Sequence, residues 1–210
     1  MSELFRTADI QKRHGAYLPH WTINGGRYFV TFRIAGSLPT SLKKEIESLR
    51  ADILDTANQR GRQLTDSESE ALEELHFRKL DILERDKGNR LLENEKVAAI
   101  VANALKYFDG ERYRLFSWVI MPNHIHVVFT SMGKWQLHQI LHSWKSFTAN
   151  SANKVLNRTG SFWQPESFDH LIRDQDALLR CIEYTWLNPE KAGLTHWKWR
   201  WKAPSDILLD

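Results

Sequence analysis

Residues Tyr113 to Thr130 read YRLFSWVIMPNHIHVVFT. β-Branched and aromatic residues fill both halves, 113–121 and 124–130, and Pro122-Asn123 stands between them. Such runs are strand-forming, and so short a break with proline and asparagine is a tight turn. An antiparallel pair of strands is therefore predicted.

Upstream, Tyr28 to Ile34 reads YFVTFRI between Gly25-Gly26 and Gly36, which predicts a first strand. From about Pro39 to Lys87 charged residues dominate. Leu42, Ile46, Leu49, Ile53 and then Leu72, Leu75, Leu80, Leu83 recur at helical spacing, which predicts two amphipathic helices joined near Arg60-Gly61. Asn94 to Phe108 reads as a helix with Val97, Ile100, Val101, Leu105 and Phe108 inward, and Asp109-Gly110 turns the chain into the strand pair. Beyond the pair, a helix is expected from about Trp135 to Leu156, then irregular chain or short strand over 161–173. A last helix is expected from Asp174, as N-cap, to Leu187, stopped by Pro189 and Gly193. Antiparallel strands with segregated helices make the fold α+β, ferredoxin-like, with the helices on one face of the sheet. The 210 residues are read as one domain, with a charged helical insertion at about 39–90 and a basic, tryptophan-rich tail at about 195–210.

Composition narrows the function classes. Hydrophobic residues make up 42%, enough for a core, and the formal charge of +3 permits nucleic-acid binding without demanding it. The one cysteine, Cys181, excludes an internal disulfide and a cysteine-rich zinc site. The N-terminus lacks a signal-peptide apolar run and no stretch is apolar enough to span a membrane, so a cytoplasmic protein, nucleoid-associated in a bacterium, is expected.

His124 and His126 are two apart on a predicted strand. Alternation turns both imidazoles to one side and Ile125, Val127 and Phe129 to the other, toward a core. Two neighbouring imidazoles can hold one divalent ion if a third ligand arrives from elsewhere. They can equally be strand histidines at a sheet surface. Neutral imidazoles would leave an ion its full charge, suited to polarising a phosphodiester oxygen. Zinc is the usual ion for imidazole, while phosphate chemistry also admits Mg²⁺ or Mn²⁺.

Tyr184 and Asn188 are four apart in RCIEYTWLNPEKAGL (180–194), hence on one helical face. The phenol could attack phosphorus, with the amide as a third metal ligand. The alternative is a part-buried tyrosine and an asparagine ending the helix before Pro189.

These stretches resemble a known family. MPNHIHVVF (121–129) is similar to the HUH motif, histidine-hydrophobic-histidine. YTWLNPEKAGL (184–194), preceded by FWQPESFDHLIRD (162–174), resembles the tyrosine region of the REP-associated tyrosine transposases, relatives of the single-tyrosine HUH transposases of small bacterial insertion sequences. LLENEKVAAIVANALKYFDGERYRLFSWVIMPNHIHVVF (91–129) resembles one branch of that family. The likeness runs from about Gly26 to Leu194, and the charged segment before Leu91 is its least typical part.

The resemblance implies an HUH nuclease fold, His124 and His126 as metal ligands, and Tyr184 as nucleophile. Asn188 falls where relatives carry a polar metal ligand, and His170 matches a recurrent position that supports the site. The implied reaction is nicking and rejoining of single-stranded hairpin DNA, of repetitive extragenic palindromic type, through a 5′-phosphotyrosine. It uses Mg²⁺ or Mn²⁺ and no nucleotide cofactor. DNA contacts are expected from Lys134, Lys145, Lys154, Arg158, Arg173, Lys198, Arg200 and Lys202. Trp197, Trp199 and Trp201, alternating with the last three of these, either stack on bases or pack into the core. Two other readings stay open. One is a hairpin-DNA-binding protein with vestigial catalysis. The other is a metal-dependent phosphodiesterase that uses an acidic ligand such as Asp169 and no tyrosine. The choice between monomer and homodimer is open.

Overall fold

The computed structural model describes residues 11–14, 19–36, 88–165 and 167–204. By packing, the chain divides into two units, Met1–Ala35 with Asn89–Asp210, and Gly36–Gly88. The helical insertion expected at about 39–90 lies, up to residue 87, outside the described residues.

In the first unit, β1 (Gln11–His14) and β2 (Pro19–Thr22) form a small antiparallel pair, to which the sequence reading assigned no element. Then come β3 (Arg27–Arg33), α1 (Glu95–Lys106), β4 (Tyr113–Ile120), β5 (His124–Ser131), α2 (Leu137–Val155), β6 (Phe168–Ile172), α3 (Gln175–Lys191) and β7 (Arg200–Lys202). The main sheet runs β6-β3-β5-β4-β7, with every neighbouring pair antiparallel. The run β3-α1-β4-β5-α2-β6 is a βαββαβ unit whose strands lie in the order fourth, first, third, second. That is the ferredoxin-like arrangement, so the expected α+β class holds.

The hairpin forms where the sequence placed it. Ile120 faces Ile125 and Val119 faces His126, and the Met121 N–H donates to the His124 carbonyl at 2.8 Å across the turn. The apolar side of β5 (Ile125, Val127, Phe129) joins Tyr28, Val30 and Phe32 of β3, Val97, Val101 and Leu105 of α1, and Ile140 and Trp144 of α2 in one core. Polar edges of the large rings are satisfied inside it. Trp144 Nε1 donates to the Tyr113 hydroxyl, which donates to the Leu105 carbonyl, both at 2.9 Å. Trp163 Nε1 donates to Thr148 Oγ1 at 2.9 Å.

Two expectations need correction. Among the described helices α1 and α2 cover this face, while α3 lies against the opposite one, where its Tyr184 meets Phe29 and His126. An antiparallel sheet with apolar residues on both sides, Phe29 and Val128 against Val30 and Val127, must be covered on both. Second, α3 runs through Pro189 to Lys191. The proline sits in the last turn, where it forfeits a single backbone hydrogen bond. Gly193, at φ +72°, then closes the helix: its N–H meets the Glu190 carbonyl and the Leu194 N–H meets that of Pro189.

Candidate active site

Strand alternation builds the site on the α3 side of the sheet. The register sets Phe29 opposite His170, Thr31 opposite His126 and Arg33 opposite His124. One sheet face therefore carries His170, Phe29, Thr31, Arg33, His124, His126 and Val119. Asp169 pairs with Val30 and so belongs to the other face, away from both histidines. The acidic ligand suggested for a tyrosine-independent phosphodiesterase is thus on the wrong side of its strand. Among the described residues no group of three or more His, Cys, Asp or Glu side chains could hold a metal ion.

The two imidazoles converge. His124 Nε2 and His126 Nε2 are 3.1 Å apart. Each ring is gripped from behind: Asn123 Oδ1 lies 2.6 Å from His124 Nδ1, and Thr31 Oγ1 lies 2.7 Å from His126 Nδ1. With Oδ1 accepting, His124 carries its proton on Nδ1 and presents a lone pair at Nε2. The Thr31 hydroxyl can donate or accept, so His126 can present either a proton or a lone pair at its own Nε2. Both histidines are buried, at 2% and 0% exposure. Burial first, then the positive fields of His126 and Arg33, holds the His124 imidazole well below its ordinary range. This is a fit for a cation: two imidazole nitrogens converge on one point, and each ring is oriented by an outer partner.

On α3, Tyr184 sits over the pair. Its ring centroid is 5.6 Å from that of His126, edge to face, and 5.9 Å from that of Phe29. Lys191 Nζ stands 4.4 Å from the centroid of the Tyr184 ring. Asn188, one turn after Tyr184, is fully buried. Phenol and imidazoles, distant in sequence, thus meet because α3 covers the face that β5 presents.

The family model for IS200-like transposases matches residues 87–178. This stretch spans α1, β4, β5 with its histidine pair, α2 and β6. Over that stretch, less than half of its length, the chain is similar to the IS200-like transposases. The matched stretch ends before Tyr184, so the role of the tyrosine does not follow from it. No curated protein matches the sequence. Among solved structures, a REP-associated tyrosine transposase bound to a REP hairpin is similar at 16% identity and TM-score 0.54, over 89% of this chain and 82% of that one. At that identity the likeness concerns the fold. A transposase structure from Deinococcus radiodurans R1 is similar at 11% identity and TM-score 0.30, over 83% of this chain and 98% of that one.

The cations of this protein divide sharply. Lys145 Nζ donates to the carbonyls of Gln164 and Pro165 at 2.7 and 2.8 Å and to Ser167 Oγ at 3.2 Å, so its ammonium ties down the loop before β6. Arg200 donates to the Trp186 carbonyl at 2.7 Å, pairs with Glu190 and stacks 4.1 Å from the Trp186 ring centroid. Lys202 lies 5.4 Å from the same ring. Lys198 pairs with Glu95 at the start of α1, and Arg158 reaches the Ser161 carbonyl at 3.4 Å. Lys134, Lys154 and Arg173 are exposed. The tail is a sheet strand: Trp199 and Trp201 pack on the core while Arg200 and Lys202 turn toward α3. Trp197 Nε1 donates to the Ile120 carbonyl.

Sequence reasoning missed Thr31, Asn123, Arg33 and Lys191. Thr31 interrupts the apolar run of β3 on the histidine side, and Asn123 directly precedes His124. Both signals were present, but only the pairing of β3 with β5 gives Thr31 its meaning.

Proposed function

We propose that this protein is a DNA transposase that nicks and rejoins single-stranded hairpin DNA by transesterification, with Tyr184 as nucleophile and His124 and His126 as metal ligands. The observation that carries the reading is the seating of the Tyr184 ring 5.6 Å from the His126 ring, on the helix that covers the convergent imidazoles.

Tyr184 Oη attacks a backbone phosphorus. The new bond is Oη–P and the broken one is P–O3′; the phenolic proton leaves and the 3′-oxygen takes up a proton. The products are a 5′-phosphotyrosine and a free 3′-OH, and attack by another 3′-OH reverses the step on a new strand. A divalent ion, Mg²⁺ or Mn²⁺, would supply Lewis-acid stabilisation of charge on the phosphate oxygens. His124 and His126 would hold it, with Asn188 as the candidate third ligand. Asn123 and Thr31 orient the two rings, and Lys191 keeps a positive charge beside the phenol ring. Ester exchange conserves the bond, so no nucleotide cofactor enters. Support for a hairpin substrate comes from the structural likeness to a protein bound to a REP hairpin.

The test uses a single-stranded hairpin labelled at its 3′ end, because the covalent link retains the 3′-side fragment. With Mg²⁺ or Mn²⁺ the wild-type chain should give a slow-migrating adduct on a denaturing gel, and Tyr184→Phe should give none. Equal adduct from the Phe variant removes Tyr184 from the mechanism. Cleavage by wild type with no adduct selects a metal-dependent hydrolase instead, and hairpin binding without cleavage in either metal selects a binding protein.

A further inference from the structure

On the sheet face opposite the histidines, at the β4–β7 edge, lies a cavity of about 290 Å³ lined by Lys106, Asp109, Leu115, Trp118 and Trp201. Trp118 and Trp201 are direct cross-strand partners, so the pairing of β4 with β7 creates this aromatic wall. We propose that this cavity receives one unpaired nucleobase of the DNA, as a recognition pocket separate from the catalytic face. The proposal rests on the single-stranded-DNA reading above.

Three observations carry it. The first is the wall itself. Trp118, packed to 3% exposure, and the half-buried Trp201 stand opposite one another across β4 and β7. A partly open aromatic surface at a cavity is one on which a base can stack.

The second is the chemistry around that wall. Leu115 supplies an apolar surface and the two indoles supply flat ones. Asp109 Oδ1 already accepts the Leu115 N–H at 2.9 Å, which orients the carboxylate and leaves Oδ2 for a ligand donor. Lys106 Nζ stands 5.3 Å from the centroid of the Trp118 ring, a cation beside the aromatic wall. A planar heterocycle with an exocyclic amine for Asp109 meets these groups, and its backbone phosphate would meet Lys106. Cytosine, adenine and guanine have such an edge; thymine lacks the amine.

The third is size and setting. Ligand pockets commonly span roughly 300–1,000 Å³, so this one suits a single base. Beside it, at the end of α1, the Tyr107 side chain is 76% exposed, a platform on which a neighbouring base can stack.

The experiment uses the full chain and fluorescein-labelled single-stranded homopolymers of dC, dA and dT, with anisotropy as the readout. Wild type should bind dC and dA several-fold tighter than dT. Lys106→Glu should weaken binding to dC about tenfold. Asp109→Asn keeps an acceptor for Leu115 and should erase the preference over dT. As an independent measurement, a strand carrying 5-iodocytosine should photocrosslink to peptides containing Trp118 or Trp201. Wild-type affinity in both variants, with crosslinks confined to other peptides, overturns the pocket. Absence of any single-strand binding by wild type overturns the DNA reading itself.

Discussion

Thr31 and Asn123 show how a single hydroxyl or amide can set what a histidine does. Thr31 Oγ1 and Asn123 Oδ1 each meet an Nδ1, which turns the Nε2 of each ring toward the other. If the pair holds the metal, losing an outer partner should weaken binding roughly 10–100-fold with the ligands intact. Thr31→Val preserves shape and removes the hydroxyl. Calorimetric titration with Mn²⁺ should show that loss, alongside the roughly 1–3 kcal/mol of stability lost with a buried hydrogen-bond partner, and unchanged Mn²⁺ affinity would separate Thr31 from the metal. At this scale the sequence was legible for the histidines, because alternation alone makes them neighbours. It was silent on Thr31, whose partner is 95 residues away.

The decisive element is α3. Asp174 begins it, its side chain accepting the Ala177 N–H at 2.7 Å. The far end is closed by Gly193, so the helix is tied at both termini and Tyr184 is held between them. Removing an N-cap side chain costs about 1 kcal/mol. Asp174→Ala should lower stability by that amount in urea denaturation; a stability equal to wild type would mean that packing against β4 and β5 alone sets the start of the helix. The cap was legible from the sequence. The helix's passage through Pro189 was not, because a proline is a stop signal on local grounds while the cost of one lost bond in a last turn is small against the burial of Asn188 and Pro189.

For the molecule as a whole, the site links folding to pH. The folded chain holds His124 below its ordinary value of 6.5, so the folded state binds fewer protons than the unfolded one. The corresponding stability is complete above about pH 6.5 and is lost as pH falls below it. The urea midpoint should therefore be flat from about pH 8 to 7 and decline below about pH 6, more gently in His124→Asn. Equal slopes for the two proteins would place the acid sensitivity in other groups. The same scale explains the tail. Its alternating tryptophans and cations are the two sides of β7, an edge strand that packs Trp199 and Trp201 on the core and aims Arg200 and Lys202 at Trp186. Cations expected to meet DNA, Lys145 and Arg200 above all, were thereby taken up as internal ties.

By itself the sequence determined the hairpin 113–131, the common face of His124 and His126, the start of α3 and the i, i+4 relation of Tyr184 to Asn188. All of these follow from local periodicity and capping, whose range is one turn or one strand pair. Only the tertiary structure decided that α3 covers the histidine face, that Asp169 turns from it, that Thr31 lies behind His126 and that Trp118 and Trp201 wall a cavity. Each of these depends on which strand lies beside which. That choice is made by burying two apolar sheet faces at once, a condition on the whole chain that no local stretch contains.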